Sequence, residues 1–478
     1  MSLQLGSAQD QNAWSEGNQW TINSFFSRVN YTFANKYVIE GTIRADGSSR
    51  FDPDHRWGWF PGVNAAWRVG EEGFMKRLGW FEDLKVRASY GEMGNQSGIG
   101  LYDYIQLISL SNDYYPFGAG VKGQMATSGN IISTSRTWET IQTTNVGFDF
   151  STLNNRLYGS FDYFWKENKN MLIPKTYPSM LGADAPSTNS GHLSIHGWEI
   201  SLGWRDQIKD FSYSVRFNIS DAKNKVVDRV GSNLIKLGNN ETPTGYPLNS
   251  YFGYEFDGII QNEQELEAYK SRFSEGGIPG DLSVGDAMYK DLDGDGKLSV
   301  LGDGKEGSGD VKYLGDKNPR YNFGFNLSMA WKGFDLSAFI QGVGRRTMFL
   351  EGESRCPMPE AWYQSAEYWY GKTWTPERTD AQYPAITLKD KRNYNYYVST
   401  NTKFNVAYAR LKNLQFGYTI PQTLTSKAGL QKVRVYFSGE DLFEVHNTPN
   451  GWDPEENSGS ITSYPFTRNY SFGINVVF

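Results

Sequence analysis

Apolar and polar residues alternate along most of this chain with a period of two. From Phe25 to Phe33 the odd positions carry Phe25, Val29, Tyr31 and Phe33, whereas Arg28, Asn30 and Thr32 fill the even ones. A period of two predicts a strand, because successive side chains of extended backbone point to opposite faces. After Ala34-Asn35-Lys36 the pattern resumes with Tyr37, Ile39, Gly41 and Ile43 against Glu40, Thr42 and Arg44, which predicts an antiparallel hairpin. The same alternation marks 57–69, 84–90, 146–150, 157–165, 198–204, 211–219, 321–331, 334–340, 414–420, 433–437 and 470–478. With weaker candidates at 102–110 and 251–259, about fourteen or fifteen strands are expected.

Two all-β architectures produce such a pattern. A sandwich hides its apolar faces against a second sheet and uses strands of about five or six residues. Many segments here are longer and suit a tilted strand crossing a hydrocarbon layer. Rings gather near segment ends, as at Trp57 and Trp59, Trp198 and Trp204, and Tyr321 and Trp331, in the manner of two interfacial girdles. Short connections (33–37, 150–157, 206–211, 331–334) alternate with long polar ones (90–138, 165–198, 340–404), as in barrels with short periplasmic turns and long outer loops. The expected fold is therefore a transmembrane antiparallel β-barrel. The alternative is a secreted soluble β-rich protein, a glycan-binding protein or glycosidase, with an aromatic core.

Composition supports that choice. Of 478 residues, 15% are aromatic, with 15 Trp, 30 Tyr and 29 Phe, while 38% are hydrophobic and 21% charged. There is no run of about 18 apolar residues, so no membrane-spanning helix is expected. A net charge of −6 offers no basic field for nucleic acid. Cys356 stands alone and cannot form an internal disulfide. Met1 to Gly6 is too short and polar for a signal peptide. His192 and His196 lie four apart in a strand-rich stretch, a spacing that does not bring two rings together for a metal as it would on a helix, so they read as loop or interfacial histidines.

Three stretches carry candidate chemistry. Asp291, Asp293 and Asp295 alternate with Gly294 and Gly296, then Lys297 offers a backbone carbonyl and Ser299 a hydroxyl, like the first half of an oxygen-rich Ca²⁺ loop. Gly302 occupies the position of the closing carboxylate and Asp303 follows it. Trp362, Tyr363, Trp369, Tyr370 and Trp374, with Tyr394 to Tyr397 beyond, lie in what is expected to be the longest loop and could stack on sugar or a partner, or on each other. Asn262 to Phe273 predicts a short external helix. Asp46 to Arg50 reads as a tight turn, with Gly47 supplying a positive φ. No nucleophile elbow, Walker loop or His-Glu-x-x-His motif occurs, and no enzyme is expected.

Several segments resemble one family. Phe26 to Tyr31, Arg44 to Phe51, Arg56 to Pro61, Leu84 to Gly91, Gly94-Asn95-Gln96, Gly315 to Tyr321 and Tyr408 to Leu414 are similar to the barrel of SusC/RagA-type TonB-dependent transporters, in the family's order. The resemblance implies an outer-membrane barrel of about 22 strands around an N-terminal plug. It also implies import of oligosaccharides or peptides, a SusD-type surface lipoprotein lid and energy from the TonB complex. Residues 1–478 are then expected to be the C-terminal portion, with the plug and the N-terminal strands absent and no transport by this portion alone. Polar-face residues Arg44, Asn64, Arg68, Arg87, Asn322 and Asn326 would line the interior. The terminal strand with Tyr470, Phe472, Ile474, Val476 and Phe478 looks like the signal read by the outer-membrane assembly machinery.

Overall fold

The computed structural model describes residues 17–478 apart from short stretches within 112–130, 175–185, 230–241, 302–308, 360–363, 388–389 and 457–465. Thirteen strands form one antiparallel sheet in which each pairs with its neighbours in chain order. They are β1 (Ile22–Phe33), β2 (Tyr37–Ser48), β3 (Trp57–Arg68), β4 (Asp83–Asn95), β5 (Glu139–Thr152), β6 (Leu157–Pro174) and β7 (Ser187–Ile208). β8 (Phe211–Arg229), β9 (Arg320–Trp331), β10 (Phe334–Arg345), β11 (Tyr408–Thr419), β12 (Lys432–His446) and β13 (Asn469–Val477) complete the sheet. β1 and β13 are its two edges.

Tight turns close one end. Lys332 and Gly333 link β9 to β10 with φ of 46° and 89°, and Ala34 and Asn35 between β1 and β2 stand at 49° and 54°. Left-handed backbone at the turn matches the right-handed twist of the flanking strands, which is why such short loops suffice.

The register carries each face across the sheet without interruption. Phe33, Tyr37, Trp67, Val86, Phe148, Phe161, Ile200, Ile219 and Phe323 face one another in successive pairs and form one apolar row. One residue along, Thr32, Val38, Ala66, Arg87, Gly147, Asp162, Glu199, Ser220 and Asn322 form a mostly polar row on the opposite face. A one-residue slip would exchange the two faces, so this alternation specifies the register strongly.

Even in mid-sheet, rings and branched chains of the apolar face remain open: Val146 is 44% exposed, Phe148 39%, Trp165 46% and Leu202 41%. Contiguous apolar surface of this extent on a soluble monomer would be an association liability. The arrangement is that of a barrel wall facing lipid and does not support the soluble aromatic-core alternative.

Some sequence expectations need correction. The candidate at 102–110 contributes only the start of a short strand, Ile108–Ser111, and 251–259 falls in Ser250–Tyr254 and Phe256–Ile259; both candidates lie outside the main sheet. The excursion read between Trp165 and Trp198 is mostly strand, because β6 and β7 run on past the alternating core through their bulged pairing. The longest excursion lies between Arg229 and Arg320 and exceeds the one between Arg345 and Tyr408. Gly47 is extended within β2, and the turn follows at Ser49 and Arg50. It is glycine for another reason: a Cβ there would meet the Trp57 ring at 2.8 Å. His192 and His196 are both β7 strand residues.

The two largest excursions are joined by a bridge between Tyr254 and Ser399, and each pairs short strands within itself. Ser250–Tyr254 pairs with Val311–Asp316, Phe256–Ile259 with Ala287–Tyr289, and Thr347–Met348 with Phe404–Asn405. The expected helix spans Glu263–Arg272 and buries Leu266 and Tyr269. Asn262 caps it by accepting from the Glu265 backbone N–H at 2.9 Å, while the Glu265 carboxylate accepts from the Gln261 backbone N–H at 2.9 Å, a reciprocal cap.

Candidate functional site

The polar face of the wall carries a ladder of charge pairs. Arg87 on β4 reaches across β5, donating through its Nη atoms to both carboxylate oxygens of Asp162 on β6 at 2.5 and 2.6 Å and through Nε to Asp149 at 3.2 Å. Lys85 pairs with Asp149 at 2.8 Å. Asn30 and Asn64 donate to Glu40 at 3.1 and 3.2 Å, with Arg28 on the same carboxylate. Arg434 grips Asp335 at 2.5 and 2.9 Å. Arg44, Asn64, Arg68, Arg87, Asn322 and Asn326 all fall on this face by register, as strand parity predicts. Their lining role follows from the barrel fold, whose interior is polar.

At the long-loop end, motifs far apart in sequence converge. The Trp138 indole packs tilted against Phe51 and edge-on against Phe60, at 5.2 and 5.7 Å, and donates to the Arg56 carbonyl at 2.7 Å. Asn95 donates to Glu139 at 2.8 Å, and the Ser48 hydroxyl donates to Gln96 at 2.5 Å. Gly58 and Gly94 leave room for this cluster: a Cβ at either would lie 2.4 or 2.2 Å from the Phe60 ring. The segments Arg44 to Phe51, Arg56 to Pro61 and Gly94 to Gln96 thus serve one brace at the mouth, a role that alternation alone could not disclose.

A second brace was missed from the sequence. Arg410 on β11 is 1% exposed and lies against Asp453 at 2.8 Å, Glu455 at 3.1 Å and Glu444 at 3.8 Å, with Phe466 stacked at 4.1 Å. Three carboxylates around one guanidinium offset the cost of burying it. Only the exact charge spacing in a fold could reveal this set, since Asp453 and Glu455 sit in a loop after β12.

The aromatic residues of the long loop separate into two groups. Trp369 is 3% exposed and packs on Tyr383 and Tyr396 at 4.9 and 5.5 Å. Trp374 is partly buried and donates to Gln261 of the other excursion at 3.0 Å. Tyr370 alone of the described members projects outward, at 90% exposure. Trp362 and Tyr363 lie outside the described residues. Self-packing therefore accounts for Trp369 and Trp374. The excursions are further stitched by Tyr269 and Tyr394 hydroxyls 2.6 Å apart and by Asn395 donating to Asp286 at 2.8 Å.

In the acidic loop, Asp291, Asp293 and Asp310 bring carboxylate oxygens within 4.8 Å of one another. Asp310, missed in the sequence because it lies beyond the loop, is fixed by accepting from the Leu292 and Ser299 backbone N–H groups at 2.6 and 2.8 Å. Asp303 falls outside the described residues. Asp295 instead accepts from the Lys297 N–H at 2.8 Å, and Ser299 contributes its backbone. Burial, then the neighbouring acidic groups, pushes Asp293 and Asp310 above the ordinary carboxylate range. Nearby, Lys290 and Lys312 hydrogen-bond Glu255 and hold it down at about 2. An acid held above its normal range beside two others is a set that a hard cation would discharge. The residues fit Ca²⁺ in donor type, and among the described residues Asp310 joins Asp291 and Asp293 as a carboxylate.

A one-layer antiparallel wall, polar on one face and ring-studded on the other, with short turns at one end and folded excursions at the other, defines a β-barrel of the outer-membrane type. Residues 4–442 match the family "TonB dependent receptor-like, beta-barrel", and the chain belongs to it. Among curated relatives, the TonB-dependent receptor P3 of Formosa agariphila is 32% identical over 96% of this chain and 46% of its own length. The TonB-dependent receptor SusC of Bacteroides thetaiotaomicron is 27% identical over 98% of this chain and 45% of its own. The fold is similar to that in the structure of the RagAB peptide transporter, with a TM-score of 0.75, 23% identity, and coverage of 96% of this chain and 48% of the other. The chain thus spans about half the length of the relatives it matches.

Proposed function

We propose that this chain supplies wall, interior lining and outer loops to a TonB-dependent importer of oligosaccharides or peptides in the bacterial outer membrane. The observation that carries the reading is the uninterrupted pair of rows across β1 to β9, one fit for acyl chains and one for an aqueous interior. The relatives' names, a TonB-dependent receptor and a peptide transporter, support it. The edges β1 and β13 each leave a row of backbone groups that lipid cannot satisfy, so the reading requires further strands to close the sheet. The partners it requires are a SusD-type surface lipoprotein over the loop body and the TonB complex on the opposite side. We assign no catalytic step to it.

The apolar terminal strand, with Tyr470, Phe472, Ile474 and Val476 on the lipid-facing side and Phe478 after it, would serve as the assembly signal. Asp291, Asp293 and Asp310 would hold Ca²⁺, which would tie the acidic loop to the excursion core; Asp295, Lys297 and Ser299 would shape the loop. Tyr370 is the described aromatic best exposed for solute or lid. The test is growth on single oligosaccharides and peptides as carbon source in a strain lacking the receptor that carries this chain. Restored uptake on reintroduction, lost when TonB is removed, is the expected outcome. Growth independent of the receptor on every source, or a detergent-free monodisperse monomer, overturns the reading.

A further inference from the structure

Above the upper aromatic belt, the apolar side of β6 to β8 changes character. The register links Val29, Gly41, Val63, Tyr90, Thr144, Trp165, His196 and Lys223 in one row, so His196 and Lys223 share a side with the exposed Trp165. In the next row towards the long loops, Glu167 pairs with Ser194 and Ser194 with Lys225. Lys169 follows two residues beyond Glu167 on the same side. Lys169, His196, Lys223 and Lys225 are exposed and have no hydrogen bond or ion pair among the described residues.

Of the nearby carboxylates Glu167 and Asp221 are already hydrogen-bonded, while Asp228, opposite His192 in the register, is exposed. Glu167 is 2.5 Å from the His192 ring and accepts from Ser194 at 2.7 Å, and Asp221 is held by Arg320. Three exposed lysines without an ion pair at contact distance on a lipid-facing surface need a reason, since a charge on this side is tolerated only where it reaches the headgroup region. Trp165 and Trp198 mark that level; Lys223 stands level with Trp165, Lys225 and Lys169 just beyond it, and the lysine stems are long enough to snorkel outward. An anionic headgroup at the same height would meet all of them at once.

We propose that Lys169, Lys223, Lys225 and His196 form a binding site on the outside of the barrel for the phosphate of an outer-leaflet glycolipid. The inference rests on the membrane reading above. The ammonium groups act as point-charge phosphate ligands, His196 adds a ring N–H, and Trp165 and Trp198 pack beside the acyl-chain boundary.

The receptor carrying this chain, purified in detergent, is titrated with monophosphorylated lipid A, with the same glycolipid after dephosphorylation, and with inorganic phosphate, and bound copies are counted by native mass spectrometry. The intact protein should retain the phosphorylated lipid, whereas Lys223→Gln with Lys225→Gln should bind it about thirtyfold more weakly, from roughly a factor of five per surface lysine. Dephosphorylation should cause a similar loss, and millimolar inorganic phosphate should not compete. Lys223→Gln alone, expected near fivefold, serves if the double variant does not assemble, and heat-shifted migration on a gel reports assembly. Equal retention by the assembled variant, equal binding of the dephosphorylated lipid, or displacement by inorganic phosphate overturns the site while leaving the barrel reading intact. A receptor that stays monodisperse without detergent overturns both.

Discussion

The wall and the loop body use the same aromatic side chains for opposite purposes. In the wall, rings recur at every second position and one side of each meets no second protein layer, as at Phe148 and Trp165. In the body, Tyr289, Tyr383 and Tyr394 are almost wholly enclosed and each hydroxyl is bonded: Tyr289 donates to the Tyr394 carbonyl at 2.7 Å, and Tyr383 lies 2.6 Å from the Tyr368 hydroxyl. A buried hydroxyl needs a partner, whereas a ring against acyl chains needs none. The surroundings decide what a ring does, and the wall's surroundings are lipid.

This contrast can be broken at either end. Removing the ring in Tyr394→Ala should cost the loop body about 3–5 kcal/mol, as for other buried aromatics, and should unstitch the two excursions. Limited proteolysis should then cut within residues 250–405 while heat-shifted gel migration of the barrel stays unchanged; a barrel that also fails to assemble would show that body and wall fold as one. Phe148→Arg tests the wall. An arginine facing mid-bilayer should cost about 2–4 kcal/mol, read as a lower guanidinium midpoint in lipid vesicles, whereas on a soluble surface this partly exposed position would tolerate the change.

The acidic loop should respond to pH with opposite sign in the two ionic conditions. Without Ca²⁺, Asp293 and Asp310 are raised, so their effect favours the folded loop below the ordinary carboxylate value and is lost as pH rises through their raised values. With Ca²⁺ the carboxylates must be ionised, and stability should instead rise with pH. Ca²⁺-dependent protection from proteolysis at pH 7.5, absent at pH 4 and absent in Asp310→Asn, is the expected pattern; protection equal in that variant would remove Asp310 from the site. The smallest effect should come from Lys85→Gln on the polar face. Its pair with Asp149 is half-exposed and shared with Arg87, so denaturation should shift by less than about 1 kcal/mol.

The wall was legible in the sequence because burial on one face leaves a period-two imprint that local reading detects, and parity correctly grouped Arg87 with Asn64 and Asn322. The same method stopped short in β6 and β7, where bulges interrupt the alternation beyond Lys169 and before Gly191. It also read Gly47 as a turn glycine, when its real constraint is an indole from the neighbouring strand. For the aromatic loop the sequence left stacking on a solute and self-packing both open, because composition cannot tell an enclosed Trp369 from an exposed Tyr370.

By itself, then, the sequence determined most strands of the wall, its two faces and its membrane character, since these follow from residues that are near neighbours in the chain. Tertiary structure alone decided that Asp310 joins Asp291 and Asp293, that Arg410 gathers Asp453, Glu455 and Glu444, and that two excursions share one tyrosine core. Those groupings depend on which distant segments the sheet brings to a common edge. No periodicity records that, because contacts between loops carry no repeating geometry to impose on the chain.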